Sequence, residues 1–147
     1  MKGTLLNLQV MNKTMPILVA LCAMAFAPLA AAQQPLSEEE QQKKMYEYID
    51  KQVEDYASSL DLNSAQIFWA DSILTHNNFA MVDELTELQK TKMSIADAYS
   101  AIQDKWNEAT YEAFHKILNE EQWAKYLKTG GSKDKKARDK RAAKRAK

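Results

Sequence analysis

Two copies of a Leu-Asn-x-x-Gln pattern limit the folds open to this chain more than any other feature of its sequence. The defining residues are Leu62, Asn63 and Gln66 in the first copy and Leu118, Asn119 and Gln122 in the second. Each copy has the form of a capping box, in which asparagine accepts a hydrogen bond from a free amide of the first helical turn and glutamine bonds back. Apolar residues before each cap and at the fourth helical position, Ile67 or Trp123, form a hydrophobic staple. The two boxes therefore predict that helices begin just after Asn63 and Asn119.

Apolar residues recur at helical spacing between Pro35 and Gly130, a region without another glycine or proline. The pattern predicts four helices: about 38–59, begun by a Ser37/Glu40 capping box; 64 to about Lys90 or Lys92; about 95 to the second box; and 120 to about 128. The second helix would be about 40 Å long, which implies a hairpin or a dimer. We expect the hairpin turn at 91–94, and a continuous helix over 64–118 is the alternative.

The first 32 residues have the pattern of a cleaved signal peptide. Positive residues Lys2 and Lys13 precede an apolar run over 17–27, and small residues at 30–32 form a cleavage site. We expect export with cleavage after Ala32. The translation start is open between Met1 and Met11.

The single cysteine, Cys22, lies inside the predicted signal peptide. Its removal would exclude disulfides, thiolate metal sites and cysteine nucleophiles from the mature chain. A small exported domain without a disulfide is more typical of a bacterial periplasm than of a eukaryotic lumen.

Charge is distributed unevenly along the mature chain. Residues 33–132 contain nine Lys and Arg against 18 Asp and Glu, a net charge of −9, whereas residues 133–147 contain nine against two, a net charge of +7. The tail has no apolar residue larger than alanine, so we expect residues 132–147 to be disordered when free and able to bind polyanions. Its basic residues are Lys133, Lys135, Lys136, Arg138, Lys140, Arg141, Lys144, Arg145 and Lys147.

An exported, cysteine-free helical chain with these two boxes resembles the Spy/CpxP family of periplasmic proteins, which is named for an LTxxQ motif. The resemblance covers about residues 45–128 and rests on the boxes and Trp123. It implies an all-α fold of about four helices, a long bent antiparallel hairpin over residues 33–131 that pairs into a cradle-shaped homodimer. Family members act as ATP-independent chaperones, as regulators of envelope-stress kinases or as metal-linked sensors.

Two features differ from the family pattern. Asparagine replaces threonine in both boxes, which the capping role tolerates. The body is acidic, whereas the chaperone member of the family presents a basic concave face with apolar patches.

The aromatic residues exceed what one apolar stripe per helix can bury. Phe68, Trp69, Phe79 and Trp106 are therefore candidate contacts for an unfolded client or for a second subunit. Burial in the intrachain core is the commonest fate of such residues and is the alternative for each.

Neither an enzyme site nor a cofactor site is indicated by the sequence. Glu112 and His115 have the spacing of a di-iron ligand pair, but the second Glu-x-x-His motif that such a site needs is missing. Asp97, Asp104, Glu108 and Glu112 recur at helical spacing, and we interpret them as a solvated acidic stripe. We expect His76 to face approximately residue 109, too far from His115 to share a metal ion.

The leading hypothesis is a periplasmic binding module that captures unfolded or envelope proteins, or modulates a stress response, without ATP. The alternatives are a structural or surface-associated adaptor whose tail docks on anionic lipid, lipopolysaccharide or nucleic acid, and a metal-linked sensor. No catalytic residue is assigned in any of these.

Overall fold

The computed structural model describes residues 36–91 and 96–146. The predicted signal peptide, residues 1–32, lies outside the described residues. In the described part the protein is all-α, as predicted. The helices are α1 (Glu38–Leu60), α2 (Ser64–Lys90), α3 (Ala96–Ile117), α4 (Glu120–Tyr126) and α5 (Ser132–Arg145), with a kinked turn (Leu127–Gly131) between the last two. None of the described helices is long and apolar enough to cross a membrane.

The chain divides into two units, residues 1–42 and 43–147, of which the structure describes residues 36–42 in the first and residues 43–91 and 96–146 in the second. In the described part of the first, the predicted Ser37/Glu40 capping box is present: the Ser37 amide donates to Glu40 Oε2 (3.0 Å) and the Glu40 amide donates to Ser37 Oγ (3.2 Å). The reciprocal bonds satisfy two amides that the first turn of α1 would leave unpaired. Apart from this Ser37/Glu40 box, everything described below belongs to the second unit.

The α2 and α3 helices run antiparallel, which confirms the predicted hairpin. Asn77 Nδ2 donates to Thr110 Oγ1 (2.9 Å), while Lys105 pairs with Glu84 one to two turns further on. Residues further along α2 therefore contact residues nearer the start of α3, as in an antiparallel pair. The alternative of one continuous helix over 64–118 is wrong, and Asn77 joins the two helices.

The core of this unit lies where α1, α2, α3 and α4 meet. Phe114, Ile49, Leu60 and Ala70 have no exposed surface, and Leu74 is 3% exposed. The apolar residues that recur at helical spacing are buried on α1 at Met45, Ile49, Val53 and Leu60, and on α2 at Ala70, Leu74, Met81 and Leu85. Apolar periodicity thus places both helices correctly against the core.

The apolar residues that recur at helical spacing on α3 are only half-buried. Ile102, Trp106 and Ala109 are partly exposed, whereas Asp104 and Phe114 are the buried residues of this helix. The reason is a second neighbour, because α5 packs on α3 through Asp104 and Glu108. Because both α2 and α5 cover α3, this helix buries residues outside its apolar stripe, such as Asp104.

The predicted disorder of the basic tail is wrong, because residues 132–145 form α5. Alanine, lysine and arginine are strong helix formers, and Asp134 near the start and Lys144 and Arg145 near the end match the helix dipole. Gly130 provides the reversal before α5 with a φ of 131°, a conformation that side chains with a Cβ disfavour. The adjacent Gly131 is also required, since a Cβ there would lie 2.7 Å from Tyr126 Cε1.

Candidate functional site

Both Leu-Asn-x-x-Gln boxes form the predicted caps. In the first, the Gln66 amide donates to Asn63 Oδ1 (2.9 Å) and the Asn63 amide donates to Gln66 Oε1 (3.1 Å). The second repeats these bonds at 2.9 Å and 3.1 Å between Gln122 and Asn119. Asn63 and Asn119 both have extended backbone, as N-cap residues do.

The two boxes also bond to each other. Gln66 Nε2 donates to Gln122 Oε1 (2.7 Å), and Gln122 Nε2 donates to Gln66 Oε1 (3.0 Å). Each side-chain amide then donates its second hydrogen to the carbonyl just before the opposite box, Gln66 to Ile117 (2.9 Å) and Gln122 to Asp61 (3.1 Å). We call this reciprocal pair the box junction.

The box junction uses the full hydrogen-bonding capacity of both glutamines. A primary amide has two N–H donors and two acceptor lone pairs. In each glutamine the oxygen accepts from its own cap amide and from the opposite glutamine, while the nitrogen donates to the opposite glutamine and to a backbone carbonyl. Because Gln122 is only 6% exposed, losing these partners would leave buried polar groups unpaired.

A second contact beside the box junction links α4 to the turn between α1 and α2. Asp61 lies in this turn with a φ of 54°, the left-handed conformation that aspartate tolerates better than most residues. Lys125 Nζ pairs with Asp61 Oδ2 (2.7 Å) and with Glu121 (3.2 Å). Hydrogen bonds to Asp61 and Glu121 raise the pKa of Lys125 above its ordinary value.

Two aromatic residues, two and three positions after the first box, are exposed to solvent. Phe68 is 64% exposed and Trp69 is 54% exposed. The core face of this part of α2 is formed by Ile67 and Ala70, and a helix turns by about 100° per residue, so the two positions between them point away from the core. Their rings meet edge to face with centroids 5.5 Å apart. We call Phe68 and Trp69 the aromatic pair.

The other two candidate contacts are half-buried. Phe79 packs against the core and against Tyr46, with ring centroids 5.1 Å apart. Trp106 lies beneath Lys105 Nζ, which is 4.8 Å from the ring centroid. Of the four aromatic residues that the sequence singles out, Phe68 and Trp69 therefore offer the most free surface.

A second group of aromatic residues lies inside the fold, where α4 meets α1 and α3. Tyr56 and Phe114 meet edge to face at 4.9 Å, and Trp123 stacks on Tyr126 at 5.2 Å. Burial raises the pKa of the Tyr126 hydroxyl to about 12 and raises that of Tyr56 further. These rings are structural and are not available to a partner.

The basic tail is divided into two faces, and the first pairs with α3. Arg138 bonds to Glu108 (2.9 Å), Arg141 to Asp104 (2.6 Å) and Arg145 also to Asp104 (2.8 Å). Lys135 joins the same face through Glu108 (3.2 Å). The interpretation of Asp104 and Glu108 as part of a solvated stripe is wrong, because both acids serve as docking points for α5.

The charge of Asp104 is stabilised by its arginine partners. Burial by itself would raise the pKa of this carboxyl group, but hydrogen bonds from Arg141 and Arg145 outweigh it and lower the pKa below its ordinary value. Arg138 is itself 7% exposed, with its guanidinium 5.4 Å from the ring centroid of Tyr111. Two acids on α3 thus neutralise much of the charge on this face of α5.

The second face of the tail is solvent-exposed. It consists of Lys133, Lys136, Lys140 and Lys144, each of which is exposed and, within the described residues, without an acidic partner. We call these four residues the lysine face. Lys147, the last of the basic residues named from the sequence, lies outside the described residues.

The two histidines each contact a tryptophan. His76 lies 6.0 Å from Trp106 between ring centroids, close to its predicted position opposite residue 109, and His115 stacks on Trp123 at 4.3 Å. Within 36–91 and 96–146, no group of three or more His, Cys, Asp or Glu residues is placed to hold a metal ion. Glu112 and His115 are both exposed.

Comparison with known proteins adds no relative. No protein-family model, curated protein or solved structure matches this chain. The likeness to the Spy/CpxP family accordingly rests on the two boxes, and the function is argued from the geometry above.

Proposed function

We propose that this protein is a periplasmic, ATP-independent binding module of the Spy/CpxP type, which holds unfolded or envelope proteins against the aromatic pair. The observation that carries the proposal is the exposure of Phe68 and Trp69, at 64% and 54%, on a helix that the box junction fixes at its first turn. Large aromatic surface left in water is costly unless a partner covers it. A modulator of envelope stress would use the same surface for a folded partner.

The surroundings of the aromatic pair suit weak and reversible binding of unfolded chains. Asp71 is exposed and lies three residues after Phe68, so the two are neighbours on the surface of α2 and an acidic side chain borders the apolar surface. Such a surface suits a segment with apolar side chains and positive charge. Release needs no nucleotide, because a client that folds buries the side chains that the aromatic pair contacts.

Long-range electrostatic attraction between the protein and a client contributes less to binding than the net charge of −9 over residues 33–132 implies. With the tail docked as α5, the charges of −9 and +7 leave −2 over residues 33–147, and the unit of residues 43–147 has 18 Lys and Arg against 17 Asp and Glu, a net charge of +1. Steering by net charge is correspondingly weak. Apolar contact is therefore the main source of affinity.

The test is suppression of client aggregation. A chemically denatured client is diluted into buffer with an equimolar amount of the protein, and light scattering is followed over time. We expect wild-type protein to delay aggregation and the double variant Phe68→Ser/Trp69→Ser to lose most of the delay. Tyr46→Ser is the matched control, because Tyr46 is an exposed aromatic residue (50%) on α1. Failure of wild type to delay aggregation would contradict the proposal.

A second copy of the chain is the competing occupant of the aromatic pair. The family resemblance favours a homodimer, and sedimentation of wild type and of Phe68→Ser/Trp69→Ser separates the two roles. If the pair is a client surface, both proteins have the same mass in solution. A dimer that dissociates in the double variant would assign the pair to self-association instead.

A further inference from the structure

The lysines and the arginines of α5 lie on different sides of the helix, and the proposed function does not involve the lysines. At about 100° per residue, Lys133, Lys136, Lys140 and Lys144 fall within about 80° of the helix circumference. The three arginines that bond to α3, Arg138, Arg141 and Arg145, fall within about 60°, centred about 130° away. Arginine thus faces the protein and lysine faces the solvent.

We propose that the lysine face docks on a surface of anionic lipid headgroups, with α5 lying flat against it. The four ammonium groups span about 16 Å along the helix and point away from the acidic body, so an anionic plane can approach them without meeting Asp104 or Glu108. Each lysine near an anionic bilayer adds to the binding energy independently of any other contact. The docking is separate from client binding at the aromatic pair.

The side chains of α5 favour a lipid surface over nucleic acid. Arginine is the residue suited to bidentate recognition of bases and phosphates, but the arginines of α5 are bonded to α3. Single-stranded nucleic acid also calls for aromatic stacking platforms, and α5 contains no aromatic residue. A row of compact, hydrated ammonium groups fits a plane of lipid phosphates.

The composition of α5 also limits the mode of binding to adsorption. The helix has no apolar side chain larger than alanine, so no apolar face enters the hydrocarbon region. The attraction is then purely electrostatic and weakens as salt rises and the Debye length shrinks.

The experiment is co-sedimentation of the full chain with vesicles of phosphatidylcholine, with and without about one-third phosphatidylglycerol. We expect binding to the anionic vesicles alone, and loss of affinity on the order of 100-fold in Lys136→Gln/Lys140→Gln/Lys144→Gln. The matched control is Lys43→Gln/Lys44→Gln/Lys51→Gln, which removes three exposed lysines from α1. It should change the affinity less than about 3-fold, because these lysines lie outside the lysine face.

Folding does not confound this comparison, because none of the three substituted tail lysines has an acidic partner within the described residues. Equal melting temperatures of both triple variants and wild type are the check. Equal loss of vesicle binding in both triple variants would show that net charge acts and would overturn the proposal. Tight binding of a fluorescent oligonucleotide without binding to anionic vesicles would overturn the choice of partner.

Discussion

The box junction and the contact between α5 and α3 join distant parts of the chain by opposite means. At the box junction, two neutral amides are fully paired, that of Gln122 buried and that of Gln66 half-buried, beside a core that includes Leu62 and Leu118. Between α5 and α3, charged groups meet at an edge of the fold where Asp104 is buried but its partners Arg141 and Arg145 keep 47% and 26% of their side chains exposed. Buried neutral networks contribute to the stability of the whole unit, whereas surface ion pairs contribute little and are screened by salt. The first contact fixes the fold, and the second fixes where the tail lies.

The largest expected effect comes from Gln122→Glu. Glutamate is a normal N3 residue of a capping box, as Glu40 shows in this chain, so a purely capping role tolerates it. At the box junction it loses both donors and places a carboxylate against the Asp61 carbonyl and Gln66 Oε1. We expect a loss of about 3 kcal/mol in the free energy of unfolding, measured in urea.

The control for this variant is Glu40→Gln, the reverse change in the Ser37/Glu40 box, which bonds locally. It should alter stability by less than about 0.5 kcal/mol. If the Gln122→Glu protein is as stable as wild type, the bonds between the two glutamines do not contribute to stability, and the two boxes act as independent caps.

Each asparagine of the boxes should contribute less than Gln122. Asn63→Ala or Asn119→Ala removes one cap acceptor and leaves the bonds between the two glutamines in place. We expect a loss of about 1 kcal/mol for each in thermal or urea unfolding, with client protection unchanged below the melting temperature. Loss of protection at unchanged stability would contradict a purely structural role.

The capping part of the box junction could be predicted from the sequence, and the pairing of the glutamines could not. A capping box accounts for the oxygen of each glutamine and leaves its two N–H donors unassigned. Those donors lie beside apolar residues such as Ile67 and Leu118, where buried donors need partners, and the opposite box offers matching acceptors. Local sequence rules do not include a partner 56 residues away.

The basic tail is helical and not disordered because its like charges are neutralised by two acids on another helix. Asp104 and Glu108 are four residues apart on α3, and Arg138, Arg141 and Arg145 repeat at the matching interval. This matching spacing of acids and arginines is the feature of the sequence that indicates the contact between α3 and α5. Whether two such stripes meet depends on the reversal at Gly130, which tertiary packing decides.

A smaller effect on global stability is expected from Asp104→Asn. The change removes the charged acceptor of Arg141 and Arg145, so α5 should loosen while the core remains intact. We expect less than about 1 kcal/mol in global unfolding but faster amide hydrogen exchange throughout α5. Asp97→Asn, at an exposed acid of the same helix, is the control and should leave exchange in α5 unchanged. Unaltered exchange in Asp104→Asn would show that α5 docks by other contacts.

The smallest effect is a response to acid that is confined to the tail. Because the folded pKa of Asp104 lies below its ordinary value of about 4, its contribution is fully present above that value and is lost as pH falls through the lower folded pKa. The protection of α5 amides from hydrogen exchange should therefore fall below about pH 4, while the amides of Gln66 and Gln122 keep theirs. The box junction contains no titratable side chain, and a simultaneous loss of protection in both regions would remove the distinction between them.

The most direct test of the account measures stability and client protection on the same two variants, Gln122→Glu and Phe68→Ser/Trp69→Ser. We predict that Gln122→Glu lowers the free energy of unfolding yet protects the client as well as wild type at temperatures where it is folded. The aromatic double variant should keep its stability and lose protection, because Phe68 and Trp69 lie outside the core. Loss of protection in a fully folded Gln122→Glu protein, or full protection by Phe68→Ser/Trp69→Ser, would contradict the separation of frame and binding surface.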